Sequence, residues 1–531
     1  MRASALFAIL LHLAKELFFY LTVRTYDTVK FLFHQGLRDG RKKCPALRKP
    51  FLAYSATRLA RMIRNQELTS EELVSAVIAR IREVEVYLNA VVDDRFEAAL
   101  EDARIADDEI AACNNIPKLA EAKPFLGVPF TVKDCISIKG MLAEVGSEAR
   151  RGVRASDDAE CVKRMVAAGA IPLAITNVAE MCLWIESTNH LHGRTNNPYD
   201  LHRTAGGSTG GESALISAYA SVWGIGTDIS GSIRLPSAWC GIFGHKPTPG
   251  LIACKGVVPE KNLELKFTLN VLGPMARTAE DCIGMMKILA NNPSKLRLDA
   301  PVNLCTLKVF FCDHEGASYV SAIQPEVRKQ VHRVVDFFRH DLKAQTAPLP
   351  KQENIARHQE WFFSYLAAHK FPPLKLDFDK PENSWDPMTE LVQLISGFST
   401  RTNVAICVNL LDEFYRKNYA KCLKSYGEFE QYKQLIYDLL QNDGIIVLPA
   451  TISVAPFHHG TLCAPPVYFG FSGLINILGL PATMVPMGLD SRGMPLSVQI
   501  VAGYGQDRLT LAVAKKLEEK FGGFIPPCPV W

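Results

Sequence analysis

Residues 128–133, VPFTVK, and residues 157–175, DDAECVKRMVAAGAIPLAI, decide the fold class of this chain. The first is a short apolar run that follows Gly127 and reads as a strand ending at Lys133. In the second, residues 157–168 read as a helix, Gly169 as its stop, and residues 171–175 as the next apolar strand. Strand, helix and strand in succession argue for an α/β domain built around a sheet.

Upstream, Leu59, Met62 and Ile63 recur at helical spacing, and Thr69-Ser70-Glu71-Glu72 forms a capping box ahead of Leu73, Val77, Ile78 and Ile81. An amphipathic stretch covers residues 95–112. Downstream, residues 341–432 are the least regular part and hold Trp361, Phe362, Phe363 and Tyr365. This part is expected to be an elaboration that supplies substrate-binding walls, with helical core as the default for any single aromatic. Asn442-Asp443-Gly444 then turns into a buried strand at 445–448. There is no internal repeat.

With 531 residues, 48% of them apolar and 21% charged, the chain has ample core for one large α/β domain. A net charge of +4 and the lack of a basic patch interleaved with aromatics argue against nucleic-acid binding. The fourteen cysteines form no C-x-x-C pair and no zinc-type spacing with histidine, so no metal and no structural disulfide are expected.

Residues 4–23, SALFAILLHLAKELFFYLTV, are apolar apart from His12, Lys15 and Glu16. Such a run either spans a bilayer or lies in its interface. Arg38, Arg41, Lys42, Lys43, Arg48 and Lys49 follow it, against Arg2 alone on the other side, which places the bulk of the chain on the cytoplasmic side if the segment spans and favours anionic headgroups if it does not. A cleaved signal peptide lacks a small-x-small cleavage site here, and an amphipathic helix docked on the domain is the third reading. The expected organisation is a membrane segment at 1–35, a basic linker at 36–52 and a catalytic domain at 53–531. No other stretch is long and apolar enough to span.

Three features carry chemistry. The loop Asp228-Ile229-Ser230-Gly231-Ser232 has small residues that let several N–H groups converge on one point, forming an oxyanion nest beside the Ser232 hydroxyl. Ser208, in Gly206-Gly207-Ser208-Thr209-Gly210-Gly211, stands in a turn suited to unusual backbone geometry and can relay a proton. Lys133 ends an apolar strand, and burial favours the neutral amine that a base requires. A nucleophile, a relay hydroxyl and a nitrogen base are what an amide hydrolase without histidine needs.

The same residues belong to an ordered series. Pro124-Phe125-Leu126-Gly127-Val128-Pro129 and Lys133 lead to Ile175-Thr176-Asn177 and Gly193-Arg194-Thr195-Asn196-Asn197-Pro198, and then to the Gly/Ser block. Gly226-Thr227-Asp228-Ile229-Ser230-Gly231-Ser232-Ile233-Arg234, Gly244-His245-Lys246-Pro247-Thr248, Gly273-Pro274-Met275-Ala276-Arg277 and Gly479-Leu480-Pro481-Ala482 to Gln499 complete it. From about residue 55 onward the chain resembles the amidase signature family of serine hydrolases. The resemblance implies one α/β domain with a large, mixed, twisted β-sheet surrounded by helices. It also implies a Ser-Ser-Lys triad, with Ser232 as acyl-enzyme nucleophile, Ser208 as bridging serine on a cis peptide, and Lys133 as base and acid. Asp228 and Arg234 would support the site, and no metal or organic cofactor is implied.

Within that family the chain is similar to the fatty-acid amide hydrolases, more to their type 2 animal members than to bacterial amidases. The substrates implied are N-acylethanolamines and primary fatty amides, with Met181, Cys182, Leu183 and Trp184 bordering the acyl channel. The partners implied are thus a lipid amide and a membrane surface, with a homodimer as the assembly to test. The alternative is an amidase of the same family acting on short or non-lipid amides. Ser230, where many members carry Gly, and Thr209, where they carry Ser, depart from the pattern. The Ser230 hydroxyl is a competing nucleophile, but spacing from Ser208 and the following Ile233-Arg234 favour Ser232.

Taken literally, Gly206-Gly207-Ser208-Thr209-Gly210 is a G-x-S-x-G elbow, which would make Ser208 the nucleophile of an α/β-hydrolase esterase. That elbow needs a strand before it, whereas residues 200–205, DLHRTA, read as a polar loop. A lipid-binding pseudoenzyme is disfavoured by the presence of all three triad residues. The amidase subunit of an amidotransferase is disfavoured by the N-terminal segment.

Overall fold

Eleven strands form one sheet: β1 (Val91–Asp94), β2 (Pro129–Lys133), β3 (Ile171–Thr176), β4 (Trp223–Asp228), β5 (Phe243–Lys246), β6 (Val271–Ala276), β7 (Lys308–Phe311), β8 (Gln345–Pro348), β9 (Gly444–Pro449), β10 (Ala482–Leu489) and β11 (Pro495–Ala502). Their order across the sheet is β1-β3-β2-β4-β6-β5-β10-β11-β9-β7-β8. β2 runs parallel to β3 and β4, as β7 does to β8 and β9, while the pairs between these groups are antiparallel, so the sheet is mixed as expected. The computed structural model describes residues 44–258, 269–314, 322–374, 385–461 and 465–531.

The unit that decides the fold class forms with small shifts, as β2, the Glu160–Ala167 helix and β3. Every residue of β2, β3, β4 and β6 is buried, the mark of strands covered on both faces. Around them, helices start where the caps predict. The Thr69 hydroxyl accepts from Glu72 N–H at 3.0 Å to open the Ser70–Leu88 helix. One core packs that helix and its neighbours Ala56–Arg64, Phe96–Ala111, Ala279–Leu289 and Asp507–Phe521 on the sheet.

A second core lies between β9 to β11 and helices of the 341–432 region. That region is not irregular. It contains the helices His358–Ala368, Pro387–Ser396 and Asn403–Lys417 and the start of Tyr419–Leu440, with Trp361, Phe429 and Tyr432 buried between them. Mixed aromatic and polar sequence hid the helical period, because His358–Ala368 and Asn403–Lys417 bury one side and line a cavity with another.

The expected membrane segment at 1–35 lies outside the described residues. Among the described residues no helix is long and apolar enough to cross a membrane. The described part of the 36–52 stretch is docked on the domain. Leu47 is buried, and its N–H donates to the Pro529 carbonyl at 2.8 Å while its own carbonyl accepts from Trp531 N–H at 3.0 Å.

Candidate active site

Parallel β2 and β4 end side by side, which brings the carboxyl ends of two neighbouring strands to one crevice, the usual place for a ligand in an open α/β sheet. Lys133 closes β2 and is fully buried. Its Nζ donates to Ser208 Oγ at 2.7 Å and to Thr227 Oγ1 at 2.8 Å, with the Thr227 carbonyl at 3.4 Å. Ser208 is also fully buried, and the Gly207–Ser208 peptide is cis. The turn is pinned by Ser187, whose hydroxyl donates to the Ser208 carbonyl at 3.2 Å and accepts from Gly210 N–H at 2.8 Å.

Ser232 follows on the loop leaving β4. The Thr209 N–H donates to the Ser232 carbonyl at 3.3 Å, which holds the two serine segments together. Lys133 Nζ and Ser208 Oγ are thus in hydrogen-bond contact, and the Ser232 segment is bonded to the residue that follows Ser208.

Asp228 organises the loop. Its Oδ1 accepts from Gly231 N–H at 2.7 Å and its Oδ2 from Ile233 N–H at 3.1 Å and Arg234 N–H at 3.3 Å. The Gly231 amide, expected among the oxyanion donors, is therefore taken by Asp228, because the carboxylate sits inside the turn. The amides of Ile229, Ser230 and Ser232 remain as candidates. Gly231 itself has φ +121°, and a Cβ there would collide with Ser472 Oγ, so the position requires glycine.

Arg234 clamps Asp228 from behind with Nε at 3.0 Å and Nη2 at 2.9 Å, and it bonds Gln499 Oε1 at 2.6 Å, the Ser472 carbonyl at 3.0 Å and Asn476 Oδ1. Burial alone would raise the Asp228 carboxyl, but Arg234 and further donors hold it well below the usual carboxylate range. Next to the base, burial pushes Asp134 up to about 7. Its oxygens accept from Glu144 N–H at 3.1 Å and Gly146 N–H at 3.2 Å, and the intervening Val145 carbonyl accepts from Met181 N–H at 2.8 Å.

Ser232 and Ser230 open onto an apolar cavity. Cys182, Leu183 and Trp184 line it, with Ile229 beside them, whereas Met181 does not, its backbone being turned at φ 53° toward Val145. The opposite wall comes from the helical region, through Phe362, Phe363, Leu366 and Leu411. Glu180 ties the two walls, accepting from Thr402 N–H at 2.7 Å and pairing with Arg401 at 3.4 Å.

The sequence reading missed Thr227, Ser472, Asn476, Gln499 and the Val408 and Leu411 wall. Thr227 had a signal, since it stands directly before Asp228 in the same motif. The others are distant in sequence and meet the site only through the fold. Contrary to the loop reading, Asp200–Thr204 is a strand, but it pairs with Asn196–Asn197 in a ribbon outside the central sheet. Ser208 Oγ is held by a lysine, which is not the partner a G-x-S-x-G elbow provides. Among the described residues no cluster of His, Cys, Asp and Glu is placed to hold a metal ion.

Residues 72–511 match the family model described as Amidase. The chain is 40% identical over 504 residues to fatty-acid amide hydrolase 2-A of Danio rerio, covering 93% of this chain and 94% of that protein. It is 38% identical over 489 residues to fatty-acid amide hydrolase 2 of Homo sapiens, covering 90% and 91%. A solved structure named fatty acid amide hydrolase superposes with a TM-score of 0.71 at 21% identity, covering 90% of this chain and 86% of that one.

Proposed function

The chain belongs to the amidase signature family and is an amide hydrolase, and we propose that it cleaves long-chain fatty-acid amides through Ser232, Ser208 and Lys133. The observation that carries this reading is the buried Lys133 bonded to Ser208 at 2.7 Å, with Ser232 opening on an apolar cavity.

Neutral Lys133 accepts the Ser208 proton while Ser208 accepts the Ser232 proton. The freed Ser232 oxygen attacks the amide carbonyl, and the bond from Oγ to carbon forms as the carbonyl oxygen takes up negative charge. The Ile229, Ser230 and Ser232 amides receive that charge, each such donor contributing about 3 kcal/mol in the transition state. The proton returns from Lys133 through Ser208 to the leaving nitrogen, the C–N bond breaks, and amine or ammonia departs. Water repeats the sequence on the acyl-enzyme and releases the fatty acid.

The acyl chain lies between residues 182–184 and the helical wall. Each methylene removed from water there contributes about 0.8 kcal/mol, so a long chain is favoured over a short one. The names of the relatives from Danio rerio and Homo sapiens support the same substrate class. On this reading residues 4–23 and the basic residues after them hold the catalytic domain at the cytoplasmic face of a membrane, where such amphiphiles partition.

Fluorophosphonate labelling with peptide mapping should place the adduct on Ser232, and label on Ser208 or Ser230 would sink the assignment. The purified full chain should hydrolyse oleamide and an N-acylethanolamine in preference to a short aryl amide. The opposite ranking would leave the amidase and remove the lipid. Deleting residues 1–35 should move the protein from the carbonate-resistant pellet to the supernatant.

A further inference from the structure

The segments that carry Lys133 and Ser208 are joined a second time, two residues back along β2 and four residues on from Ser208. Glu212 stands in the first turn of the Gly210–Ser217 helix, into which the Ser208 turn leads, and it is fully buried. Its Oε2 is 2.7 Å from Thr131 Oγ1 on β2, and its Oε1 accepts from Thr176 Oγ1 on β3 at 3.1 Å. Thr131 and Lys133 are alternate residues of one strand and face the same side of the sheet. Thr176 is the register partner of Lys133 on β3, and Gly224 is the register partner of Thr131 on β4. A Cβ at Gly224 would come within 1.9 Å of Glu212 Oε2, so β4 is bare where the carboxyl crosses it. One carboxyl thus rests on three neighbouring strands, beside the rung that holds the base.

The hydrogens of this cluster can be counted. Ser221 Oγ donates to the Trp223 carbonyl at 2.8 Å, and a carbonyl only accepts, so the single Ser221 hydrogen is committed. Ser221 Oγ therefore accepts across its 2.8 Å contact with Thr131 Oγ1, which commits the single Thr131 hydrogen. The hydrogen in the Thr131–Glu212 contact then comes from Glu212. Glu212 is a carboxylic acid that donates through Oε2 and accepts through Oε1. Burial, which pushes this carboxyl up to about 8, agrees with that count, and no charged side chain among the described residues hydrogen-bonds it.

From this geometry we propose that Glu212, as a neutral acid, is a positioning residue of the proton path, locking the Ser208 segment onto β2 and so setting the Lys133–Ser208 contact. It does not line the cavity, and it acts through Thr131 and through the helix that begins at Gly210. A carboxylate in its place would leave an unpaired charge in the sheet and the chain to Trp223 one hydrogen short. The link to catalysis rests on the Ser208 and Lys133 roles proposed above, whereas the protonation state of Glu212 does not.

The test compares the native full chain with Glu212→Gln, Glu212→Ala and Thr131→Val. The infrared difference spectrum of native minus Glu212→Gln at neutral pH should show the C=O stretch of a protonated carboxylic acid. A pair of carboxylate bands in its place would overturn the neutral acid. Gln keeps one donor and one acceptor, so Glu212→Gln should hold kcat for oleamide within about threefold of native. Glu212→Ala and Thr131→Val should each lose roughly tenfold or more in kcat with KM within about twofold, and fluorophosphonate labelling of Ser232 should slow in step. These rates are read per folded protein, which a purely structural defect would leave unchanged, and Thr131→Val serves if Glu212→Ala does not fold. Native kcat in the folded variants, or a change confined to KM, would remove the positioning role. A loss in Glu212→Gln as deep as in Glu212→Ala would contradict the donor arrangement. Lys133→Ala measured alongside separates the two proposals, because native amide hydrolysis there would remove the proton path itself and leave the Glu212 acid standing.

Discussion

Behind the Ser232 loop that floors the cavity, Arg234 makes five side-chain hydrogen bonds and exposes no surface, whereas on the wall Phe363 stacks on Tyr415 with ring centroids 4.9 Å apart. The floor is a set of directional contacts in which each polar group has one geometry that satisfies it. The wall is a set of volumes, and several apolar side chains of similar size would fill it. A change on the floor should therefore remove function for every substrate, and a change on the wall should shift preference among them.

The sharpest break is Ser232→Ala, which should lower kcat/KM for all amides by roughly 10⁴-fold or more while leaving the fold intact. Stopped assays on the folded variant check this, and residual activity within tenfold of native would place the nucleophile elsewhere. Lys133→Ala should come next, with a loss of about 10³-fold for amides and a smaller loss for esters, since an alkoxide leaves without the returned proton that an amine requires. Equal losses would separate the base role from the acid role.

Asp228→Ala leaves Arg234 buried without its carboxylate and should cost about 3–5 kcal/mol of stability, read by thermal or denaturant unfolding. The sign with pH follows from the depressed carboxyl. Its contribution is complete above the ordinary carboxylate range and is lost only as pH falls through the lowered folded value, so native and variant should converge in strong acid. The smallest effect is on the wall. Phe363→Ala should reduce kcat/KM by roughly tenfold for a long acyl amide and hardly at all for a short aryl amide, at a cost of about 1.4 kcal/mol. A uniform loss across chain lengths would mean that the wall, like the floor, positions the reacting atoms.

The floor was legible because its chemistry is concentrated in short segments. Ser208, Asp228, Ser232 and Arg234 lie in two neighbouring motifs, and Lys133 ends a strand whose apolar run is plain in the sequence. The wall was not legible. Leu366, Val408 and Leu411 come from helices whose apolar positions serve both a core and a cavity, and that double duty blurs the periodicity by which a helix is recognised. Met181 shows the reverse failure, since it sits in the expected apolar run yet turns to Val145 and leaves the lining to its neighbours.

The amino-acid sequence by itself determined the α/β class, the three residues proposed for chemistry, and the Asp228-to-Arg234 loop, because strand periodicity and loop composition act over a few residues. Only the tertiary structure decided which amide of that loop Asp228 takes and that Thr227 shares Lys133 with Ser208. Those outcomes depend on where distant strands and helices bring their ends. Hydrogen-bond geometry and packing set those positions across the whole sheet, and no local stretch of sequence contains them.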